Sequence, residues 1–305
     1  MPKLRIATRQ SKLALWQAEH VQARLQAVLP DYDVTLLPIR TEGDRIVDKS
    51  LAAIGGKGLF LKELEAAMLA GEADLAVHSM KDVPAELPEG FSLPVVLAPG
   101  SPFDAFVSNH YDSPEALPQG AHLGTSSLRR AAMLKQLRPD LVIANLRGNV
   151  QTRLRKLDEG EYDAILLACA GLERLGLESR IRKPLPPEQC LPAIGQGVLG
   201  VEIRTDDERV LACIAQLDDA YTHIRVTAER AVNARLAGSC HLPIAAFAEH
   251  DGEQLRLRAC VGAPDGSEMV SDEITGSTAS AEQLGVTLAE RLLAAGADRI
   301  LADLA

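Results

Sequence analysis

The chain has 305 residues, of which 47% are hydrophobic and 24% charged, and its formal net charge is −10. This length predicts a globular protein of two or three domains, and no apolar run reaches the ~20 residues of a membrane span. The acidic balance and an aromatic content of only 3% argue against general nucleic-acid binding, since a basic surface and stacking platforms are both scarce.

The first part of the chain alternates strands with helices, which predicts an α/β domain with a mainly parallel sheet. The predicted elements are strand 4–7, helix 10–29, strand 34–39, a glycine-rich loop at 41–58, helix 59–69 and strand 74–77. No signal-peptide pattern precedes strand 4–7, so a cytoplasmic protein is expected.

A second α/β unit begins near residues 99–103, and a smaller α+β module begins near residue 220. The second unit combines strands 105–108, 121–124, 141–144 and 164–168 with helices 126–137 and 150–158. After a proline-rich stretch at 183–192, strand 197–203 is expected to return to the first sheet. The last module holds helix 222–236, strand 255–261 and helix 280–295.

Basic residues are concentrated between positions 124 and 156. The segment has eight basic residues and one acidic residue, Asp140. Its formal charge is therefore +7, and that of the rest of the chain is about −17. Most are arginines, whose planar fork matches carboxylate or phosphate oxygens two at a time. The pattern predicts a site for a small molecule with several negative charges.

Two strand–helix junctions in this segment are candidate anion sites. Residues 124–130 end a strand, turn through small hydroxyl residues and begin a helix with Arg129 and Arg130 in its first turn. Helix N-termini favour anions, whereas a first turn disfavours arginine unless an anion compensates it. Arg147 and Arg153 repeat the arrangement at the next junction.

Three further segments carry candidate chemistry. The 54–58 loop lacks the ending of a P-loop and is interpreted as a lid. Asp82 follows a buried strand and precedes a fixed turn, so a positioned acid or base and an ordinary turn residue are equally open. The five cysteines, at 169, 190, 213, 240 and 260, form no metal-ligand or disulfide pattern; Cys240 lies in a small-residue turn, either as a covalent attachment point or as a structural residue.

Taken together, these motifs resemble the porphobilinogen deaminase family, and they occur in the family's order over most of the chain. The matching stretches are 5–11, 55–60, 78–84, 124–130, 146–149, 170–175, 191–197 and the loop around Cys240. Phe103 stands where the family often has an arginine.

The resemblance implies a transferase that joins four porphobilinogen molecules head to tail, releases ammonia and gives hydroxymethylbilane. It also implies a dipyrromethane cofactor attached to Cys240 through a thioether. Each pyrrole carries an acetate and a propionate, which would explain the arginines. The implied partners are porphobilinogen and the growing oligopyrrole chain; no nucleic acid, membrane or metal is expected, and nothing demands more than a monomer.

The resemblance also assigns roles to individual residues. Asp82 is the implied catalytic residue, stabilising positive charge and moving protons. The implied cofactor ligands are Cys240, Lys81, Thr125, Ser126, Ser127, Arg129, Arg130 and Arg147. The implied substrate ligands are Arg9, Ser11, Arg153, Arg174, Phe60 and Gln196.

The implied fold has two doubly wound α/β domains, like those of two-lobed periplasmic binding proteins, and a small α+β C-terminal domain. The expected boundaries are 1–98 with 197–216, then 99–196, then 217–305. A non-enzymatic two-lobed protein that binds a small polyanion is the alternative; it would explain the arginines but neither Cys240 nor Asp82.

Overall fold

The computed structural model describes residues 1–41, 61–236 and 242–304, and these residues form two compact units. Unit 1 comprises Met1–Gly100 with Val198–His223, and unit 2 comprises Ser101–Gly197 with Ile224–Ala305. No helix in the described part of the chain is sufficiently long and apolar to span a bilayer.

The strands and helices are numbered in chain order. The strands are β1 (Lys3–Arg9), β2 (Asp33–Ile39), β3 (Leu75–Ser79), β4 (Phe91–Val96), β5 (Asp104–Val107), β6 (His122–Gly124), β7 (Val142–Ala144), β8 (Ala164–Ala168), β9 (Lys183–Leu185), β10 (Leu199–Arg204), β11 (Ile244–Asp251), β12 (Gln254–Gly262) and β13 (Met269–Ser277). The helices are α1 (Lys12–Val28), α2 (Lys62–Leu69), α3 (Leu128–Leu137), α4 (Val150–Asp158), α5 (Cys169–Glu173), α6 (Glu208–Ile214), α7 (Ala220–Arg235), α8 (Ala281–Ala294) and α9 (Ala297–Ala302).

The five-stranded sheet of unit 1 has the order β2-β1-β3-β10-β4. β1 is parallel to β2 and β3, and β10 is antiparallel to both of its neighbours, so four of the five strands share one direction. The expected return of a strand near residues 197–203 to the first sheet is therefore confirmed by β10. α1 begins after its N-cap Ser11 and buries Gln17, Ala18, Val21 and Leu25, a spacing typical of one helix face.

Unit 2 repeats this topology in a second five-stranded sheet, with the order β7-β6-β8-β5-β9. Here β5 is the strand that runs against its neighbours. In parallel α/β sheets, loops at the carboxyl ends of adjacent strands converge, which places the β6 and β7 junctions beside each other.

The C-terminal part of unit 2 is an antiparallel sheet, β11-β12-β13, with α7, α8 and α9 packed on it. α8 approaches α7 closely at Gly285, where a Cβ would lie 2.6 Å from the Cβ of Ala231. Phe247 and Cys260 of this sheet share a hydrophobic cluster with Leu134 of α3. The predicted fold class, two doubly wound sheets with a small α+β part, is confirmed, while the three domain boundaries stay a prediction.

Candidate active site

In unit 1 the predicted site residues lie at the carboxyl ends of β1 and β3, which are adjacent and parallel. Arg9 is the last residue of β1, and the Ser11 hydroxyl accepts a hydrogen bond from the Ala14 amide at 3.3 Å. Lys81 and Asp82 lie in the single 3₁₀ turn that follows β3, where Asp82 is exposed. Arg9, Ser11 and Asp82 line one small cavity of about 60 Å³.

Buried ionisable residues lie behind this cavity, and sequence reasoning gave them no role. His78 also lines the cavity, and its Nε2 is 2.7 Å from Oε2 of Glu202, which is fully buried. Glu65 of α2 is 7% exposed, and its burial, followed by the nearby Glu202 carboxylate, raises its pKa to about 7. The pairing joins residues 124 positions apart, so no local motif could reveal it.

In unit 2 the 124–130 junction has the predicted form. Thr125 is buried, and its amide donates to the Ala144 carbonyl at 2.9 Å, which fixes the turn against β7. Ser127 is the N-cap of α3 and accepts from the Arg130 amide at 3.4 Å, whereas Ser126 is exposed. The Thr125 hydroxyl accepts from the Ser127 amide at 3.2 Å, so the hydroxyls of both residues shape the turn.

Arg129 and Arg130 are both buried, at 4% and 6% exposed, and both bind Asp104. Arg129 Nη1 donates to Asp104 Oδ2 at 2.7 Å, and Arg130 donates to Oδ1 from Nε at 2.9 Å and from Nη2 at 2.7 Å. Burial alone would raise the pKa of the Asp104 carboxyl, but the two guanidinium groups outweigh it and hold that pKa well below its usual range. The arginines at this helix start were expected to bind an anion, and the Asp104 carboxylate is such an anion within the protein.

The buried group of Asp104, Arg129 and Arg130, which we call the Asp104 cluster, also includes Gln196. Its Nε2 donates to the Pro102 carbonyl at 2.6 Å and to Asp104 Oδ1 at 3.2 Å, and the residue is 1% exposed. Gln196 was predicted as a substrate ligand. In the structure its side-chain amide donates to two groups of unit 2 itself.

The junction after β7 is more open to a ligand. Asn149 is the N-cap of α4 and accepts from the Thr152 amide at 2.9 Å, and Arg153 Nε donates to the Gly148 carbonyl at 2.8 Å. Gly148 has φ of +109°, which favours glycine. Arg147 Nε is buried and has no hydrogen-bond partner among the residues that the structure describes.

Two residues near the 191–197 motif complete unit 2. Arg174 Nη2 donates to the Gly197 carbonyl at 2.6 Å, and burial lowers the pKa of Arg174 to about 10. Glu229, which sequence reasoning missed, accepts from the Gly195 amide at 2.7 Å and from the Ala248 amide at 3.0 Å. Glu229 thus ties this motif to the C-terminal sheet. Phe60 and Cys240 lie outside the described residues.

Two family models match the chain. The model of the porphobilinogen deaminase dipyromethane cofactor binding domain matches residues 4–212, and that of the porphobilinogen deaminase C-terminal domain matches residues 223–294. The chain belongs to the porphobilinogen deaminase family. Porphobilinogen deaminases are transferases that make hydroxymethylbilane in tetrapyrrole biosynthesis, so membership decides for the enzyme against the non-enzymatic binding protein.

Several solved structures are similar to the chain at low identity. One is a putative methionine-binding lipoprotein from Bacillus subtilis, with 12% identity, a TM-score of 0.44 and coverage of 70% of this chain and 89% of that one. Another is the periplasmic aliphatic sulphonate binding protein SsuA from Escherichia coli, with 13% identity, a TM-score of 0.43 and coverage of 77% and 70%. Scores of this size assign neither function nor ligand.

The charges of unit 2 fit the family's dipyrromethane group, whose two pyrroles carry carboxylates. The Asp104 cluster holds two guanidinium groups against one carboxylate and so retains a positive charge. The unpartnered Nε of Arg147 is a second donor suited to an anion. When bound, the cofactor supplies the pyrrole carbon to which the first substrate molecule is joined.

Proposed function

We propose that this chain joins porphobilinogen molecules head to tail with Asp82 as the catalytic carboxylate and with a dipyrromethane cofactor attached to Cys240. The observation that carries the proposal is the placement of Asp82 as an exposed carboxylate beside Arg9 and Ser11, at the carboxyl ends of two adjacent parallel strands. Ligands of parallel α/β sheets bind at such ends.

Asp82 suits the charge changes of the reaction. Loss of ammonia from the substrate leaves a positive charge on the pyrrole, and a nearby carboxylate stabilises such a charge. The same carboxylate can then accept the proton that the attacking pyrrole carbon releases. Arg9 and Ser11, which line the same cavity, are proposed to bind the substrate's acetate and propionate, and Lys81, in the same turn as Asp82, to bind those of the cofactor.

Cys240 is the proposed attachment point because the other four cysteines are buried. Burial raises the pKa of the Cys169 thiol to about 11 and that of the Cys260 thiol to about 12, and it also raises the pKa of Cys190. The thiolate is the nucleophilic form, so these thiols are poorly suited to thioether formation.

The carboxylates of the cofactor and of the growing chain are proposed to bind along the junctions of unit 2. Arg147 offers an unpartnered donor, and Arg153 and Arg174 each hold a backbone carbonyl with one nitrogen. Arg129 and Arg130 contribute the positive charge of the Asp104 cluster, and Thr125, Ser126 and Ser127 place α3's N-terminus, whose dipole also favours an anion. Phe60 and Gln196 stay predicted substrate contacts, and a monomer in the cytoplasm stays a prediction.

Intact mass of the purified protein tests the attachment. After expression in cells that make porphobilinogen, the wild-type chain should be heavier than its sequence by two pyrrole units, and Cys240→Ser should match its sequence mass. Cys213→Ala, a matched change at a buried cysteine, should keep the added mass. A wild-type mass equal to the sequence, or added mass on Cys240→Ser, would refute the thioether at Cys240.

A further inference from the structure

The cavity beside Asp82 also reaches a buried histidine. Its volume of about 60 Å³ is lined both by the exposed Asp82 and by His78, which is only 7% exposed. A water molecule needs roughly 10–15 Å³ of such space, so the cavity has room for a short chain of water between the two side chains.

His78 is held in one orientation by Glu202. In the antiparallel register of β3 and β10, His78 is opposite Gly200 and Glu202 is opposite Ala76, so both side chains point to the same face of the sheet. With Glu202 ionised, its oxygen only accepts, so the contact of 2.7 Å places the imidazole hydrogen on Nε2. Nδ1 is then the nitrogen that can accept a proton.

Glu202 is also placed to stabilise the imidazolium form of His78. It is fully buried, and its Oε1 has no hydrogen-bond partner among the described residues. A buried carboxylate behind a histidine orients the ring and stabilises the imidazolium that forms when the ring accepts a proton. Two other charged groups of the described residues lie near the pair: Glu65 of α2, whose carboxyl interacts with both His78 and Glu202, and Arg9, which lines the same cavity. Lys62 of α2 lies near Glu65. Burial raises the pKa of Glu65 to about 7, so this carboxyl stays largely protonated in weak acid.

The reaction requires a proton to be carried at every addition. The carbon–nitrogen bond of the protonated aminomethyl group breaks and its electron pair leaves with ammonia. A carbon–carbon bond then forms at the α-carbon of the attacking pyrrole, and that carbon loses its proton. In total, one proton moves from carbon to ammonia or solvent, with no oxidant or reductant. Asp82 must therefore be deprotonated again before the next addition.

We propose that His78, oriented by Glu202, takes the proton from Asp82 through water in this cavity while the bound pyrroles cover the exposed side of Asp82, and returns it to solvent between additions. The proposal rests on the proposed role of Asp82. His78 acts through Asp82 and does not touch the substrate, so it is a positioning and relay residue.

Steady-state kinetics of His78→Gln holoenzyme between pH 5.5 and 9 test the relay. We expect kcat to fall about tenfold or more, as for a lost acid–base group, with KM and the intact mass unchanged. Added imidazole, a mobile proton carrier, should restore part of the rate. His223→Gln is the matched control, because His223 also pairs with a carboxylate, Asp218 at 3.0 Å, but about 40% of its side chain is exposed. The control should follow the wild type.

The relay is refuted if His78→Gln keeps the wild-type kcat, or if its kcat falls without any rescue by imidazole. If His78→Gln does not fold, Glu202→Gln takes its place: a lower kcat with imidazole rescue supports the relay, and an unchanged pH profile refutes it. Asp82→Asn separates the two proposals. Near-normal turnover of that variant removes Asp82 from the mechanism, whereas an inactive Asp82→Asn beside a normal His78→Gln overturns the relay alone.

Discussion

Replacing Asp104 by Asn tests whether the arginine pair of unit 2 depends on a buried counter-charge. Asp104 is fully buried and accepts hydrogen bonds from both guanidinium groups, from the Cys190 thiol at 3.2 Å and from Gln196. An asparagine of nearly the same size keeps one acceptor oxygen but removes the charge. Arg129 and Arg130 are then two buried cations without a carboxylate.

The expected loss is large, because removing one partner of a buried ion pair costs about 3–5 kcal/mol. For a domain of 150–250 residues, each kcal/mol corresponds to roughly 2–4 °C in Tm. The unfolding transition of unit 2 should therefore fall by about 6–20 °C in differential scanning calorimetry at pH 7. Loading of the cofactor should also fall, since the helix start that carries both arginines is no longer fixed.

The difference in stability between the wild type and Asp104→Asn should also depend on pH. The folded-state pKa of Asp104 lies below its ordinary value of about 3.9, so its stabilisation is complete above that value and is lost as the pH falls toward the folded-state pKa. The difference in stability between wild type and variant should stay constant from pH 8 to about 5 and shrink below about pH 4.

Glu159→Gln is the matched control. Glu159 pairs with Arg155, but about half of each side chain is exposed, and ion pairs at such positions contribute little. A Tm of Asp104→Asn within about 2 °C of the wild type, or a difference that widens in acid, would refute the reasoning.

Three further predictions use single substitutions. Asp82→Asn should keep the added cofactor mass and lose most turnover, because only the carboxylate can stabilise the cation; near-normal turnover would contradict this. Arg147→Ala should lower cofactor loading by mass spectrometry, whereas Arg155→Ala, which removes an exposed pair with Glu159, should not; equal loading would remove Arg147 from the site. In urea unfolding at pH 5 and pH 8, Glu65→Gln should lose less stability than the wild type as the pH rises, because the Glu65 carboxyl ionises in the unfolded chain near pH 4.5 but in the folded chain only near pH 7. A parallel pH dependence would contradict a buried, protonated Glu65.

Local patterns predicted most of the elements that position the site, and two of the strands that they missed, β4 and β9, were missed for a common reason. β4 contains Pro94 and β9 contains Pro184, and proline argues against a strand in sequence reasoning. Both strands lie at the edges of their sheets, where a missing amide donor is tolerated. An edge position is a property of the assembled sheet, so the sequence pattern could not supply it.

The residues of the candidate site also differ in whether local sequence could predict their contacts. Turns and helix starts follow from residues within a few positions of each other, and the predicted helices 10–29 and 126–137 begin one residue before the observed N-caps Ser11 and Ser127. The contacts of Asp104 and Glu202 were not predicted, because their partners are distant in sequence and meet them only through strand order. A buried charged residue whose partner is distant in sequence produces no periodic pattern in the sequence.

The structure also changes the meaning of the basic segment at 124–156. Four of its arginines bind acids in the described structure, two of them Asp104 and the others Asp140 and Glu159. Asp104 and Glu159 lie outside the segment, so its charge of +7 becomes about +5 when its partners are included. The count of arginines therefore overstates the capacity for anions. The capacity to bind anions depends on the positive groups that no internal acid neutralises, chiefly Arg147 and the excess charge of the Asp104 cluster. The affinity for a lengthening pyrrole chain should therefore depend on these groups and not on the number of basic residues.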